Sequence, residues 1–221
     1  MTYIDFKNFD AVIFDLDGTL ADSMNIWREI DIEFLDKFNI EMPENLQSEI
    51  EGLSFYQTAV YFKETFKLEW SLEEIMDCWN QMAYEQYSCV IKFKPGVTDF
   101  LKLLKEHNIK TGIATSNSRS LTEAFLEANN ANEYFDVIVT AKEVTLGKPA
   151  PDIYLHAAAS LSVDSDRCLV FEDLPAGILA GNRAGMTTCA VEDGYSRLLR
   201  KEKQKLSNMY LEDYLTLECI F

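Results

Sequence analysis

The chain has 221 residues, 48% of them hydrophobic, and a formal net charge of −17, so it can bury a core of domain size while carrying a field that repels nucleic acid and anionic lipid. No apolar run reaches the ~18 residues that cross a bilayer, and the opening MTYIDFKNFD has neither the basic nor the apolar segment of a signal peptide; a cytoplasmic protein with no nucleic-acid or membrane partner is expected. Five cysteines without a C-x-x-C pair, and two histidines, His107 and His156, 49 positions apart, argue against a zinc, dithiol or histidine-based metal site.

Ala11 to Phe14 reads as a short, wholly apolar strand, closed by Asp15 and Asp17 with Gly18 and Thr19 directly behind. From there to about residue 92 the pattern is helical. Ile26, Ile30, Phe34 and Phe38 recur every four positions, and Leu72, Ile75, Met76 and Trp79 form an i, i+3, i+4, i+7 stripe behind a Ser71/Glu74 capping box. Pro43 and Gly52 divide this stretch into several helices. It is also strongly acidic, with 15 acidic against 4 basic residues between positions 20 and 91.

From Lys94 onward helix and strand alternate. A helix face of Val97, Phe100, Leu101 and Leu104 precedes a strand at Lys110 to Thr115; a second, of Leu121, Ala124, Phe125 and Ala128, precedes Val137 to Thr140. A helix over 151–161 leads to the strand CLVFE at 168–172, and another, entered through Pro175 and closed near Gly185, leads to Thr187 to Val191. The basic run Arg197 to Lys203 reads as a solvated helix face. Such alternation implies a parallel sheet with helices on both faces. The expectation is an α/β, Rossmann-like core built from residues 1–19 and 93–221, interrupted by a helical insertion at 20–92.

In an open parallel sheet, ligands bind beyond the carboxyl ends of the strands. Those ends gather Asp15 and Asp17, then Thr115, Ser116 and Asn117, then Lys148, then Glu172 and Asp173. Four carboxylates suit a hard divalent cation, while a hydroxyl, backbone amides and an ammonium suit phosphate. Taken singly, each group has a plainer reading: Asp17-Gly18 as a tight turn, Lys148 as a surface lysine, Glu172 and Asp173 as a helix cap. Two other motifs fail on spacing. An EF-hand would need a bidentate Glu where Ile26 stands, and a Walker A loop would need Gly at Lys142 and Ser or Thr at Pro149.

Together DLDGTLADS, IATSN, GKPAPD and FEDLPAGILAG, in this order, resemble the four motifs of the haloacid dehalogenase superfamily, in particular the branch holding β-phosphoglucomutase and small-molecule phosphatases. The resemblance covers nearly the whole chain and implies that the insertion at 20–92 is a helical cap domain. It implies Asp15 as a nucleophile that forms an aspartyl-phosphate and Asp17 as general acid/base. Thr115, with the backbone around Ser116 and Asn117, would bind the phosphoryl group, and Lys148 would bind both phosphate and nucleophile. Mg²⁺ would be held by Asp15, Asp173 and the main-chain carbonyl of Asp17, with Glu172 a ligand or a neighbour of one. True dehalogenases of the superfamily lack the second Asp, so Asp17 favours phosphoryl chemistry.

The expected activity is Mg²⁺-dependent hydrolysis of a small phosphate ester by a monomeric enzyme. Mutases of this branch carry an arginine in a cap loop resembling EGLSFYQ, residues 51–57, where this chain has Phe55; a ring cannot replace a bidentate guanidinium. Mutase activity is the alternative, and a phosphoaccepting signalling or non-catalytic binding domain is the alternative of another class. Phe55 and Tyr56, with Trp27 and Met24, are candidates to wall the substrate pocket, or else to form cap core.

Overall fold

The computed structural model describes residues 2–50 and 55–221. These fall into two compact units, one formed by residues 1–24 and 91–221, the other by residues 25–90.

The first unit contains strands β1 (Thr2–Asp5) and β2 (Ala11–Phe14). The second contributes helices α1 (Ile26–Asp36), α2 (Leu46–Ile50), α3 (Phe55–Phe66) and α4 (Leu72–Cys89). The chain then returns through α5 (Val97–Glu106), β3 (Lys110–Thr115), α6 (Arg119–Ala128), β4 (Val137–Thr140), α7 (Asp152–Leu161), β5 (Cys168–Glu172), α8 (Pro175–Arg183), β6 (Thr187–Val191), α9 (Arg200–Leu206), β7 (Met209–Leu211) and β8 (Leu217–Ile220).

Six strands form one sheet in the order β4-β3-β2-β5-β6-β7, every neighbouring pair parallel. After β2 the chain builds outward on one side through β3 and β4, then crosses back and builds through β5, β6 and β7 on the other. β2 is therefore the strand at which the winding reverses, where an open sheet leaves a crevice at its carboxyl edge. All four residues of β2 are buried, as expected of a strand covered on both faces. On one face Ala11 and Ile13 pack against Ile153, Tyr154, Ala157, Ala158 and Leu161 of α7. Three consecutive alanines in that helix let its backbone approach the sheet closely. On the other face the rings of Phe14 and Phe171 stack at 5.2 Å, with Phe100 5.5 Å from Phe171.

β1 and β8 pair in a separate two-stranded parallel sheet, and β7 adds an edge to the main one. None of the three was expected from the sequence, because β1 and β8 are four-residue segments with partly exposed residues and β7 has only three, too short for a period to register. The basic run 197–203 is a further correction. It leads into α9, but Lys203 is fully buried, donating to the Val191 carbonyl at 2.9 Å and the Ser196 hydroxyl at 2.8 Å.

In the helical unit, Ser71 caps α4 and the reciprocal Glu74 bond completes the capping box. Ile75 and Trp79 are buried, and Trp79 meets Phe62 at 4.8 Å and Phe34 at 5.3 Å between ring centroids. Aromatic pairs of this kind contribute ~0.5–1.5 kcal/mol each beyond area burial. Among the described residues no helix is long and apolar enough to cross a membrane.

Candidate active site

β2 ends at Phe14, and Asp15 continues its hydrogen bonding by donating its N–H to Phe171 at 3.0 Å. That bond fixes the backbone beneath the first carboxylate. The chain then turns at Gly18, whose φ of +80° belongs to the left-handed region. A second constraint acts there: a Cβ on Gly18 would lie 2.4 Å from Asp173 Oδ2. Glycine is needed for both the turn and the clearance.

Lys148, from the loop between β4 and α7, reaches into the same place. Its ammonium donates to Asp15 Oδ1 at 2.5 Å, to Glu172 Oε1 at 2.6 Å and to the Ala114 carbonyl at 2.9 Å, which uses all three of its N–H groups. Asp15, Glu172 and Asp173 are each less than a tenth exposed, and each offers an oxygen within 4.8 Å of the others. Four strand ends and loops widely separated in sequence thus meet.

Asp17 is held from two directions, by the Ser23 hydroxyl at 2.6 Å and the Asn117 side-chain amide at 3.0 Å. Thr115 is buried at the end of β3, and its Oγ1 accepts from the Asn117 N–H at 3.0 Å. Ser116 is exposed. Asn117 Oδ1 accepts from the Ser118 N–H at 2.8 Å, and Ser118 in turn caps α6.

The electrostatics follow from burial. Desolvation raises the Asp15 carboxyl above the usual carboxylate range; Lys148 pulls it down, but Glu172 and Asp17 push it up again. Asp173 is raised by burial first and then by Glu172 and Asp15. Burial would lower the Lys148 ammonium, yet Asp15 and Glu172 overcome it and hold the pKa above the usual value. Three carboxyl groups crowd around one ammonium in a space with little water. Asp173 Oδ2 is buried with no hydrogen-bond partner, an orphan oxygen of the kind a cation satisfies. The oxygen donor set, with three carboxyl groups to one ammonium, and this orphan atom fit a hard divalent ion such as Mg²⁺.

The family model of haloacid dehalogenase-like hydrolases matches residues 12–191. The chain belongs to that family. It is 33% identical over 189 residues to the bifunctional riboflavin kinase/FMN phosphatase of Arabidopsis thaliana, an alignment covering 84% of this chain and 49% of the relative, so the chain spans about half that relative's length. It is 30% identical over 177 residues to the phosphorylated carbohydrates phosphatase of Thermotoga maritima, covering 80% and 82% of the two chains. Among solved structures, a Thermotoga maritima protein provisionally named a β-phosphoglucomutase superposes with a TM-score of 0.80 at 28% identity, over 93% of this chain and 95% of the other.

Within this haloacid dehalogenase-like site, three residues were not singled out by sequence reasoning. Tyr154 donates its buried hydroxyl to Glu172 Oε1 at 2.9 Å, Ser23 holds Asp17, and Gly177 makes room for Glu172. Tyr154 lies on the apolar stripe of α7, where an aromatic reads as core; only its hydroxyl hints at a buried acceptor. Phe55 and Tyr56 open α3 in the helical unit, 40% and 57% exposed. Phe55 lies 6.3 Å from Trp27 and 5.6 Å from Trp79 between ring centroids. Of the stretch 51–57 singled out from the sequence, Glu51 to Ser54 lie outside the described residues, and Phe55 to Gln57 belong to α3.

Proposed function

We propose that this chain is a Mg²⁺-dependent phosphatase of a small phosphorylated metabolite and works through an aspartyl-phosphate. The observation that carries the reading is the pairing of Asp15 with Lys148 at 2.5 Å beside the unpartnered Asp173 oxygen. A nucleophilic carboxylate, a cation for a phosphoryl oxygen and a carboxylate oxygen able to bind a metal stand together.

Asp15 and Asp173, with the main-chain carbonyl of Asp17, would hold the metal. Bound Mg²⁺ would offset the repulsion between an anionic nucleophile and an anionic ester. Lys148 neutralises charge on the same side, and the Thr115 hydroxyl, steadied by the Asn117 N–H, binds the phosphoryl oxygens together with the backbone amide of Ser116, so that catalysis is mostly positioning and electrostatics. An Asp15 oxygen bonds to phosphorus as the ester P–O bond breaks, and the leaving oxygen takes a proton from Asp17. Water then attacks phosphorus, Asp17 accepts its proton, the Asp15–phosphorus bond breaks, and inorganic phosphate departs. Ser23 and Asn117 keep Asp17 aimed through both transfers, and general acid/base catalysis by such a carboxyl contributes ~10²–10⁴ in rate.

Residues 25–90 act in this reading as the cap that excludes water and selects the substrate, with Phe55 and Tyr56 contributing to the choice. Phe55, where mutases of this branch carry an arginine, offers no cation for a second phosphate, which favours hydrolysis over a mutase reaction.

The test is phosphate release from a panel of sugar phosphates, nucleotides and glycolytic intermediates, with and without Mg²⁺. Release from at least one ester, abolished by chelation, is expected. No release from any of them, together with stable labelling by acetyl phosphate, would replace the enzyme with a phosphoacceptor.

A further inference from the structure

Two acidic residues adjoin at the end of β5, and their surroundings differ. Asp173 keeps one oxygen buried and unpartnered, and the other has only a long contact of 3.5 Å from the Thr19 hydroxyl. Glu172 is partnered at both oxygens: Oε1 accepts from Lys148 at 2.6 Å and from the Tyr154 hydroxyl at 2.9 Å, which fills it, and Oε2 accepts from the Leu174 N–H at 3.2 Å. The fold is cut to its shape, because a Cβ on Gly177 would lie 1.6 Å from Oε1.

Tyr154 is fully buried, with its ring centroid 5.2 Å from the Lys148 ammonium. Phenylalanine would fill the same space against the sheet, so packing alone does not call for the hydroxyl. A buried phenol needs a hydrogen-bond acceptor, and the acceptor here is the carboxylate that grips Lys148.

We infer that Tyr154 is a positioning residue, locking Glu172 as the counter-ion that holds Lys148 in place and leaving the metal to Asp15 and Asp173. Lysine is a flexible stem with a rotatable head, and its partner Asp15 changes during the reaction from a carboxylate to an acyl phosphate. An anchor that the chemistry does not consume is therefore required, and Glu172 with the Ala114 carbonyl supplies it. For Glu172 to ligate a metal through Oε1, it would have to release Lys148 or Tyr154.

The kinetic part of this inference rests on the phosphatase reading; the metal part does not. Tyr154→Phe should lower kcat about tenfold while KM and the Mg²⁺ dissociation constant, measured calorimetrically on substrate-free protein, stay within about twofold of wild type. Glu172→Gln should weaken Mg²⁺ binding at least about tenfold less than Asp173→Asn does. The inference falls if Tyr154→Phe leaves kcat unchanged, or lowers the melting temperature with kcat, KM and Mg²⁺ affinity all worsening together, which marks a merely structural residue. It falls equally if Glu172→Gln costs as much Mg²⁺ affinity as Asp173→Asn. Should the wild-type chain hydrolyse no ester, the phosphatase reading fails by itself, and the Mg²⁺ titrations still decide between Glu172 as anchor and as ligand.

Discussion

The α/β unit and the helical unit treat charge in opposite ways. The first buries Asp15, Glu172, Asp173, Asp193 and Lys203, each less than a tenth exposed, and tolerates this because all but one Asp173 oxygen find partners among neighbouring side chains and backbone. The helical unit carries most of the chain's negative charge, yet its core is apolar and aromatic, and Asp31 is the one buried acid among its described residues. Burying an ion is costly unless it is paired. The α/β unit concentrates that cost where chemistry can use it, and the helical unit leaves its charge in water.

If that contrast is right, removing a buried charge should be ruinous in one unit and harmless or beneficial in the other. The largest effect belongs to Asp15→Asn, which should lower turnover of p-nitrophenyl phosphate by on the order of 10⁴ or more; appreciable residual activity would reject Asp15 as nucleophile. Asp17→Asn should slow hydrolysis of an alkyl phosphate by ~10²–10⁴, with a smaller loss on an aryl ester whose leaving group needs no proton. Near-wild-type rates on the alkyl ester would remove Asp17 from the acid/base role. Gly18→Ala tests the geometry without touching a charge. It forces a side chain into a left-handed turn and against Asp173, and urea unfolding should show a loss of about 2–4 kcal/mol.

Asp31 tests the other side. Burial pushes its carboxyl up to about 6 against the lowering effect of the Gln47 hydrogen bond. Because the folded pKa stands above the unfolded value, the folded state binds the proton more tightly, and stability from this group is complete below about pH 4 and lost as pH rises through about 6. Asp31→Asn, which can still accept from Gln47, should therefore stabilise the protein at pH 7 by about 1–2 kcal/mol. The gain should shrink as melting is repeated towards pH 4; a variant less stable than wild type at pH 7 would show that the carboxylate is needed.

The two units also differed in how much their sequences disclosed. β3, β4, β5 and β6 stand where the alternation places them because each follows a helical stretch and is largely buried, and the parallel order then follows from the connections. Asp15, Lys148, Glu172 and Asp173 could be placed at one mouth because strand ends converge. The Tyr154 hydroxyl and the Ser23 bond to Asp17 were not legible, since both depend on side-chain direction rather than on position along a strand. Of the helical unit, the stripes of α1 and α4 and the Ser71 cap were readable. What Phe55 and Tyr56 face was not, because an aromatic at the start of a helix fits core and pocket equally well.

The room left by Gly177 has a practical use in reading related genes. A carboxylate pressed against the bare Cα of a helix cannot coexist with any substituent there, so a homologue bearing alanine or serine at the equivalent site must have moved or replaced the acid that steadies its lysine. That one letter, visible without coordinates, sorts sequences that preserve this arrangement from those that have found another.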